Sequence, residues 1–190
     1  MLEALIDIDK KLLLVINSWH TPWLDDLMMA LTNGLYWLPL FVFVIAAIIF
    51  KYRRNAILIF AYMIVVIILT DQVSSSILKP LIGRLRPSHD PTLKDLVHLV
   101  NNYRGGMYSF VSSHAANAFG VATFLFLAAQ RKLPWIWLMF GWATIFAYTR
   151  LYLGVHYPLD IICGALLGAL LAWMVIWISK RLPEKIRLKT

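Results

Sequence analysis

Hydrophobic residues in this chain fall into long runs from which Asp, Glu, Lys and Arg are missing. The runs extend from Leu27 to Phe50, Asn55 to Leu78 (interrupted by Asp71), Gly105 to Gln130, Leu133 to Thr149 and Ile161 to Ser179. A helix needs roughly 20 apolar residues to cross the hydrocarbon of a bilayer. The pattern therefore predicts five transmembrane helices, the third entering the membrane near Phe110, after Gly105-Gly106. The first 26 residues read differently. Leu2, Ile6, Leu13, Leu14 and Ile16 interleave with Glu3, Asp7, Asp9, Lys10 and Lys11, which predicts one or two amphipathic helices lying in the interface, anchored by Trp19 and Trp23. A sixth span starting at Leu12 is the alternative, but it is short and polar. Met1 to Ile16 carries acids and no small-residue cleavage site, unlike a signal peptide.

The expected fold is thus an all-α integral membrane protein, with five (or six) transmembrane helices. One domain spans 1–190, with an interfacial N-terminal segment at 1–26 and the helical bundle at 27–180. Composition agrees: 61% of the 190 residues are apolar and 15% charged, with a mean hydropathy of +0.71. Soluble domains run nearer ~45–50% and ~25%. The single cysteine, Cys163, excludes an intrachain disulfide. The net charge of +8 raises nucleic acid as a partner. However, the basic residues mostly flank apolar runs, where they orient the chain and meet anionic lipid. The bilayer is the expected partner, and a homo-oligomer stays open.

Charge also sets the topology. Lys51-Tyr-Arg53-Arg54, Arg131-Lys132 and Lys180-Arg181 through Lys189 follow the first, third and fifth runs. The positive-inside rule puts all three in the cytoplasm, with the N-terminus outside. The 79–109 and 150–158 loops then share the outer, periplasmic face of an inner membrane. The first of these is basic as well (Lys79, Arg84, Arg86, Lys94, Arg104), against the rule. An anionic substrate would account for it.

Three clusters lie on that face. Thr149-Arg150-Leu-Tyr-Leu-Gly-Val-His156-Tyr-Pro-Leu-Asp160 joins an arginine, a histidine and a carboxylate in one short gap. Arginine's planar fork suits phosphate, histidine attacks or shuttles protons near neutrality, and a carboxylate orients the imidazole. Asp160 is equally suited to a plain helix N-terminus after Pro158. Lys79-Pro-Leu-Ile-Gly-Arg-Leu-Arg86-Pro87 closes the second run; seven helical residues separate the two cations by about 10 Å. Pro80, Gly83 and Pro87 imply that the helix bends or ends there, which would let both reach one anion. Ser109-Phe-Val-Ser112-Ser113-His114 opens the third run, where free amides favour phosphate and either serine can serve as N-cap.

Lys79-x6-Arg86-Pro87, Ser112-Ser113-His114 and Thr149-Arg150-x5-His156-x3-Asp160 resemble the three-part signature of the type 2 phosphatidic acid phosphatase superfamily, over roughly residues 55–180. Two positions depart from it. Pro-Ser-Gly-His is Val-Ser-Ser-His here, and Ser-Arg is Thr-Arg. The resemblance implies a phosphatase with a phosphohistidine intermediate, without metal or other cofactor. His156 would be the nucleophile, Asp160 its orienter and His114 the general acid and base. Lys79, Arg86, Arg150, Ser112 and Ser113 would hold the phosphate. Asp71, inside the second run, would support the basic cluster through Ser75, or pair with another span. His89, His98 and Asp95 would rim the site or be solvated, and His20 would be interfacial. Asp90 and Asp95 lack obvious partners, so no carboxylate cluster resembles a two-metal site.

The expected substrate is a membrane lipid phosphate, with undecaprenyl diphosphate first. Phosphatidylglycerophosphate, phosphatidate and the lipid A 1-phosphate are the alternatives. Two rivals come from other classes. A lipid-phosphate binding or transport protein would explain the cations but not the histidine–carboxylate pair. Vanadate-dependent oxidation belongs to related proteins that are soluble.

Overall fold

The computed structural model describes residues 2–188, so Met1 and Lys189 of the C-terminal basic run lie outside the described residues. It is all-helical: α1 (Leu2–Asn17), α2 (Pro22–Leu31), α3 (Leu38–Tyr52), α4 (Ala56–Asp71), α5 (Lys79–Ile82), α6 (Ser113–Ala129), α7 (Met139–Tyr152) and α8 (Pro158–Ser179). Among the described residues the only β pairing is an isolated antiparallel bridge, Leu85 to Tyr108.

Among the described residues, two helical stretches are long and apolar enough to cross a membrane. They are Gly34–Ile82, whose most apolar 18-residue window has a mean hydropathy of 2.3, and α8, whose window reaches 2.5. The first, at 49 residues, is folded in two by Arg53 (φ 51°, ψ −122°). Its second arm continues from α4 through a π-helical segment, Gln72–Leu78, into α5. Gly83, at φ 62°, ends that arm in the left-handed conformation glycine adopts without strain. The expected break between Lys79 and Arg86 is therefore real.

The first apolar run is not one helix. Its beginning belongs to α2, which runs past residue 26 to Leu31; a turn with Asn33 as N-cap and a 3₁₀ segment, Gly34–Trp37, precede α3. A boundary at 26/27 thus falls inside an element. Asn33-Gly34 is strong turn chemistry that a search for charge-free runs passes over. The fourth run likewise spends Pro134–Leu138 in a 3₁₀ segment before α7 begins.

α6 is the central element, packed on α8, α7 and α4. Its buried face is small: Ala115, Ala116, Ala118, Gly120 and Ala122. Across it stand Gly164 and Gly168, where an added Cβ would lie 2.6 Å from the Ser112 carbonyl oxygen and 2.1 Å from that of Ala116. Small residues let two helix backbones approach this closely. The approach brings the start of α6 beside the start of α8. Thr70 Oγ1 donates to Asn117 Oδ1 at 2.5 Å and ties α4 to the same helix. Outside the core, Phe43, Phe50, Ile57, Ile64, Leu166, Leu170 and Trp173 are exposed large apolar side chains.

The N-terminal segment is more than an interfacial coat. Leu13 is fully buried with Leu93, Val97 and Tyr157, and Asp9 and Asn17 are buried as well. α1 therefore docks on the 83–112 loop and on the start of α8.

Candidate active site

The sequence brings its three clusters to one end of the bundle. π-Helical turns accommodate an extra residue and often mark functional segments. Here the π segment directs Ser75 towards α6, and Ser75 and Ser113 share a hydrogen bond of 2.9 Å. Ser75 Oγ donates to Asp71 Oδ1 at 3.3 Å, and Lys79 Nζ donates to Ser113 Oγ at 2.8 Å. Asp71 thus reaches Lys79 through Ser75 and Ser113.

Arg86 is positioned by its loop. Its amide donates to the Met107 carbonyl at 3.0 Å, beside the Leu85–Tyr108 bridge, and its Nε donates to the Tyr108 carbonyl at 3.1 Å. Gly105, at φ 66°, leaves room for the guanidinium, since a Cβ there would lie 2.3 Å from Nη1. Burial first, then the Arg150 charge, lowers the Arg86 pKa to about 10, which still leaves a cation at neutral pH. Arg150 is buried to 1% exposure; Nη1 donates to Thr32 Oγ1 at 2.6 Å and Nη2 to the Tyr103 hydroxyl at 3.0 Å.

His156 and Asp160 are both fully buried, four residues apart, with His156 Nδ1 3.3 Å from Asp160 Oδ2. Asp160 Oδ2 also accepts the Tyr157 amide at 2.9 Å, a helix-capping bond that fixes the carboxylate. Its Oδ1 accepts from Arg84 Nη1 at 3.0 Å. Arg84 Nη2 donates to Asp9 Oδ2 at 2.7 Å, and the guanidinium lies 3.7 Å from the Tyr157 ring centre. Asp9 Oδ1 accepts the Leu159 amide at 2.9 Å. His114 stands in the first turn of α6, its ring 5.5 Å from that of Phe146, within electrostatic reach of Arg150, His156, Arg86 and Lys79.

Ser112 takes the N-cap position that the sequence allowed. It is fully buried, its hydroxyl accepts the Ala115 amide at 3.4 Å as N-cap, and its own amide donates to the Asp160 carbonyl at 3.0 Å. It joins the two helix starts, and the capping bond leaves its hydroxyl proton free to donate. Lys79, Arg86, Ser113, His114, Arg150, His156 and Asp160 lie at the same end of the bundle.

Three buried atoms at this centre have no hydrogen-bond partner among the described residues: Arg86 Nη1, Arg150 Nε and His156 Nε2. Buried donors without partners are rare in folded proteins, and an anion would satisfy the two arginine donors. The second nitrogen of the imidazole is unpartnered, and the charges of Arg86, Arg150 and Lys79 act on that ring. That is the arrangement a nucleophile aimed at phosphate requires.

A model of the PAP2 superfamily matches residues 55–184. The chain belongs to that superfamily. PAP2 members are lipid phosphatases, and that is the activity class of this chain. The lipid A 4'-phosphatase of Bacteroides thetaiotaomicron is 38% identical over 192 residues, covering 100% of this chain and 85% of the relative. That of Porphyromonas gingivalis is 30% identical over 175 residues, covering 92% and 74%. The crystal structure of the PAP2-type phosphatidylglycerolphosphate phosphatase from Bacillus subtilis superposes with a TM-score of 0.70 at 25% identity, over 95% of this chain and 89% of that one.

Arg84, Asp9, Thr32 and Tyr103 are site residues that the sequence reading passed over. Arg84 lies within the basic run of the PAP2 signature, but nothing local distinguishes it from Arg86. Asp9 looked like one more acid on an amphipathic helix.

Proposed function

We propose that the chain removes a phosphate monoester from a lipid A-type glycolipid, at the 4' position, through a phosphohistidine intermediate. The observation that carries the reading is the fully buried His156, bound to Asp160 at Nδ1, with Nε2 unpartnered and the charges of Arg86 and Arg150 acting on the ring, each arginine also keeping an unpaired buried nitrogen. His156 Nε2 attacks phosphorus, forming a P–N bond as the P–O bond to the sugar breaks. His114 gives its proton to the departing oxygen. It then takes a proton from water, which attacks phosphorus, breaks the P–N bond and releases inorganic phosphate. Lys79, Arg86 and Arg150 neutralise the equatorial oxygens, and the first-turn amides of α6 add donors. Asp160 holds the imidazole in the tautomer that leaves Nε2 free to attack. Ser113 acts indirectly, by holding Lys79.

Undecaprenyl diphosphate led the sequence reading because the chain is compact and the site faces outward. The two lipid A 4'-phosphatases, at 38% and 30% identity, favour lipid A over it and over phosphatidylglycerophosphate or phosphatidate. They also move the favoured position from the 1-phosphate to the 4'-phosphate. In this reading five spans cross an inner membrane: α3, α4 with its π extension, α6, α7 and α8. α1 and α2 lie at the periplasmic face beside the site, and the C-terminus is cytoplasmic.

The test is phosphate release by the purified protein in detergent, with EDTA present. The substrates are lipid A, undecaprenyl diphosphate, phosphatidylglycerophosphate and phosphatidate, with His156→Ala in parallel. Release fastest from lipid A, with loss of the 4'-phosphate by mass spectrometry and none from the variant, is the expected result. Fastest release from another lipid overturns the substrate. Tight binding with no release from any lipid overturns the chemistry and leaves a binding or transport protein.

A further inference from the structure

Away from the phosphate centre, at the rim formed by the N-terminal segment, two histidines and a carboxylate converge from three parts of the chain. His20 lies in the α1–α2 linker, Asp25 in the first turn of α2, and His98 in the long 83–112 loop. One ring nitrogen from each histidine and one Asp25 oxygen lie within 4.8 Å of one another. His98 Nε2 is 2.9 Å from Asp25 Oδ2, and the His20 and His98 rings stack 3.7 Å apart at an interplanar angle of 6°.

The surroundings orient these groups. The Tyr152 hydroxyl donates to Asp25 Oδ1 at 2.6 Å, which leaves Oδ2 directed at His98. Asn17 clamps the His98 backbone on both sides: its Oδ1 accepts the His98 amide at 2.7 Å, and its Nδ2 donates to the His98 carbonyl at 3.0 Å. The same Nδ2 donates to the Tyr152 carbonyl at 2.7 Å. Hydrogen-bonded second partners that fix ligand orientation are the hallmark of metal sites. A hollow of about 320 Å³ lined by Asn17, Ser18, His20 and His98 gives an ion and its water a path in.

We propose that His20, His98 and Asp25 bind a divalent transition-metal ion, Zn²⁺ foremost. Two imidazoles and one carboxylate are a hard-to-borderline donor set that suits zinc, with water completing the shell. Zinc bonds of ~2.0–2.1 Å place tetrahedral donors roughly 3.3 Å apart, close to the separation already held between His98 and Asp25. His20 must turn out of its stacked position to aim its nitrogen at the ion, and its exposed place in a linker allows that. The ion joins α2 and the α1–α2 linker to the 83–112 loop. α2 is followed directly by Thr32, which accepts from Arg150, and Tyr152 lies two residues beyond Arg150. The site is a structural clip beside the active centre; it takes no part in phosphoryl transfer and does not depend on the phosphatase reading.

The test is calorimetric titration of the full chain, stripped with chelator and exchanged into chelator-free detergent buffer, with Zn²⁺. Cobalt absorption spectra would follow the ligand field. The expected result is one saturable ion per chain, weakened at least roughly tenfold by His20→Ala and by His98→Ala. His89→Ala should leave it unchanged. Matching chelator-treated melting curves for His20→Ala and wild type establish that the variant is folded. No saturable micromolar binding by wild type overturns the proposal. So does binding that survives both substitutions, which would place the ion on other residues.

Discussion

Arg84 Nη1 donates to Asp160 Oδ1 at 3.0 Å, joining a residue of the 83–112 loop to one 76 positions later at the start of α8. The second arm of the same guanidinium holds Asp9, so one cation sits between two buried carboxylates. The fork of arginine can serve both acids at once, which a lysine cannot.

Removing that cation leaves Asp9 and Asp160 buried and mutually repulsive. Breaking a buried pair costs about 3–5 kcal/mol, and the partial exposure of Arg84 reduces this to about 2–3 kcal/mol. Arg84→Ala should lower the melting temperature accordingly. It should also cut kcat by roughly 10–100-fold through a misplaced His156, with little change in KM. Arg84→Lys should regain stability more than rate. Paired melting curves and steady-state kinetics check this, and an unchanged kcat in the alanine variant would refute it.

The three motifs were legible because ionisable residues at the ends of apolar runs are costly and therefore conspicuous. Gly83 and the prolines around it announced the end of the second arm, and Asp71 was visible as an acid inside an apolar run. Pairings across the fold were not legible: Asp9 meets Leu159 over 150 residues and Thr32 meets Arg150 over 118. No local pattern encodes them, because they exist only once α1 and α2 dock on the far loops. Asp9 has the hydropathy of a solvated acid, and only the fold makes it a buried acceptor. The His20–His98 stack was hidden for the same reason.

Gly105 is a position where a single methyl group should tell. Its φ of 66° strains any other residue, and its Cβ would strike Arg86 Nη1. Gly105→Ala should displace the guanidinium that faces the phosphate. The expected result is a loss of roughly tenfold or more in kcat/KM, at a stability cost of about 1–2 kcal/mol. Lipid-phosphate titration and kinetics separate the two effects. Unchanged kcat/KM would mean that Arg86 does not touch the substrate.

Helix approach at the bundle centre gives the third prediction. A Cβ on Gly168 would lie 2.1 Å from the Ala116 carbonyl oxygen and 2.8 Å from the Gly120 nitrogen, both backbone atoms that cannot step aside. Gly168→Ala should force α6 away from α8, at about 1–3 kcal/mol, and separate His114 from His156. Gly141, in α7, has nothing within 4 Å of an added Cβ. Gly141→Ala should therefore be neutral or stabilising by up to about 1 kcal/mol. Equal melting temperatures for the two variants would refute the close-packing argument.

The last prediction concerns pH. His156 lies in the turn between α7 and α8, where burial first, then the charges of Arg86, Arg150 and Lys79, press its pKa well below the ordinary value. An unfolded histidine titrates near ~6.5. Below that pH the unfolded chain takes up a proton that the folded chain refuses. The contribution of His156 to stability is therefore complete above ~6.5 and is lost as pH falls through its folded pKa, with a slope of at most about 1.4 kcal/mol per pH unit. The melting temperature of wild type should fall more steeply below that point than that of His156→Asn, which has no proton to gain there. The same depression keeps the imidazole neutral, and so nucleophilic, in mildly acidic medium. Melting curves of both proteins from neutral pH downward decide it, and parallel curves would show that the buried imidazole titrates normally.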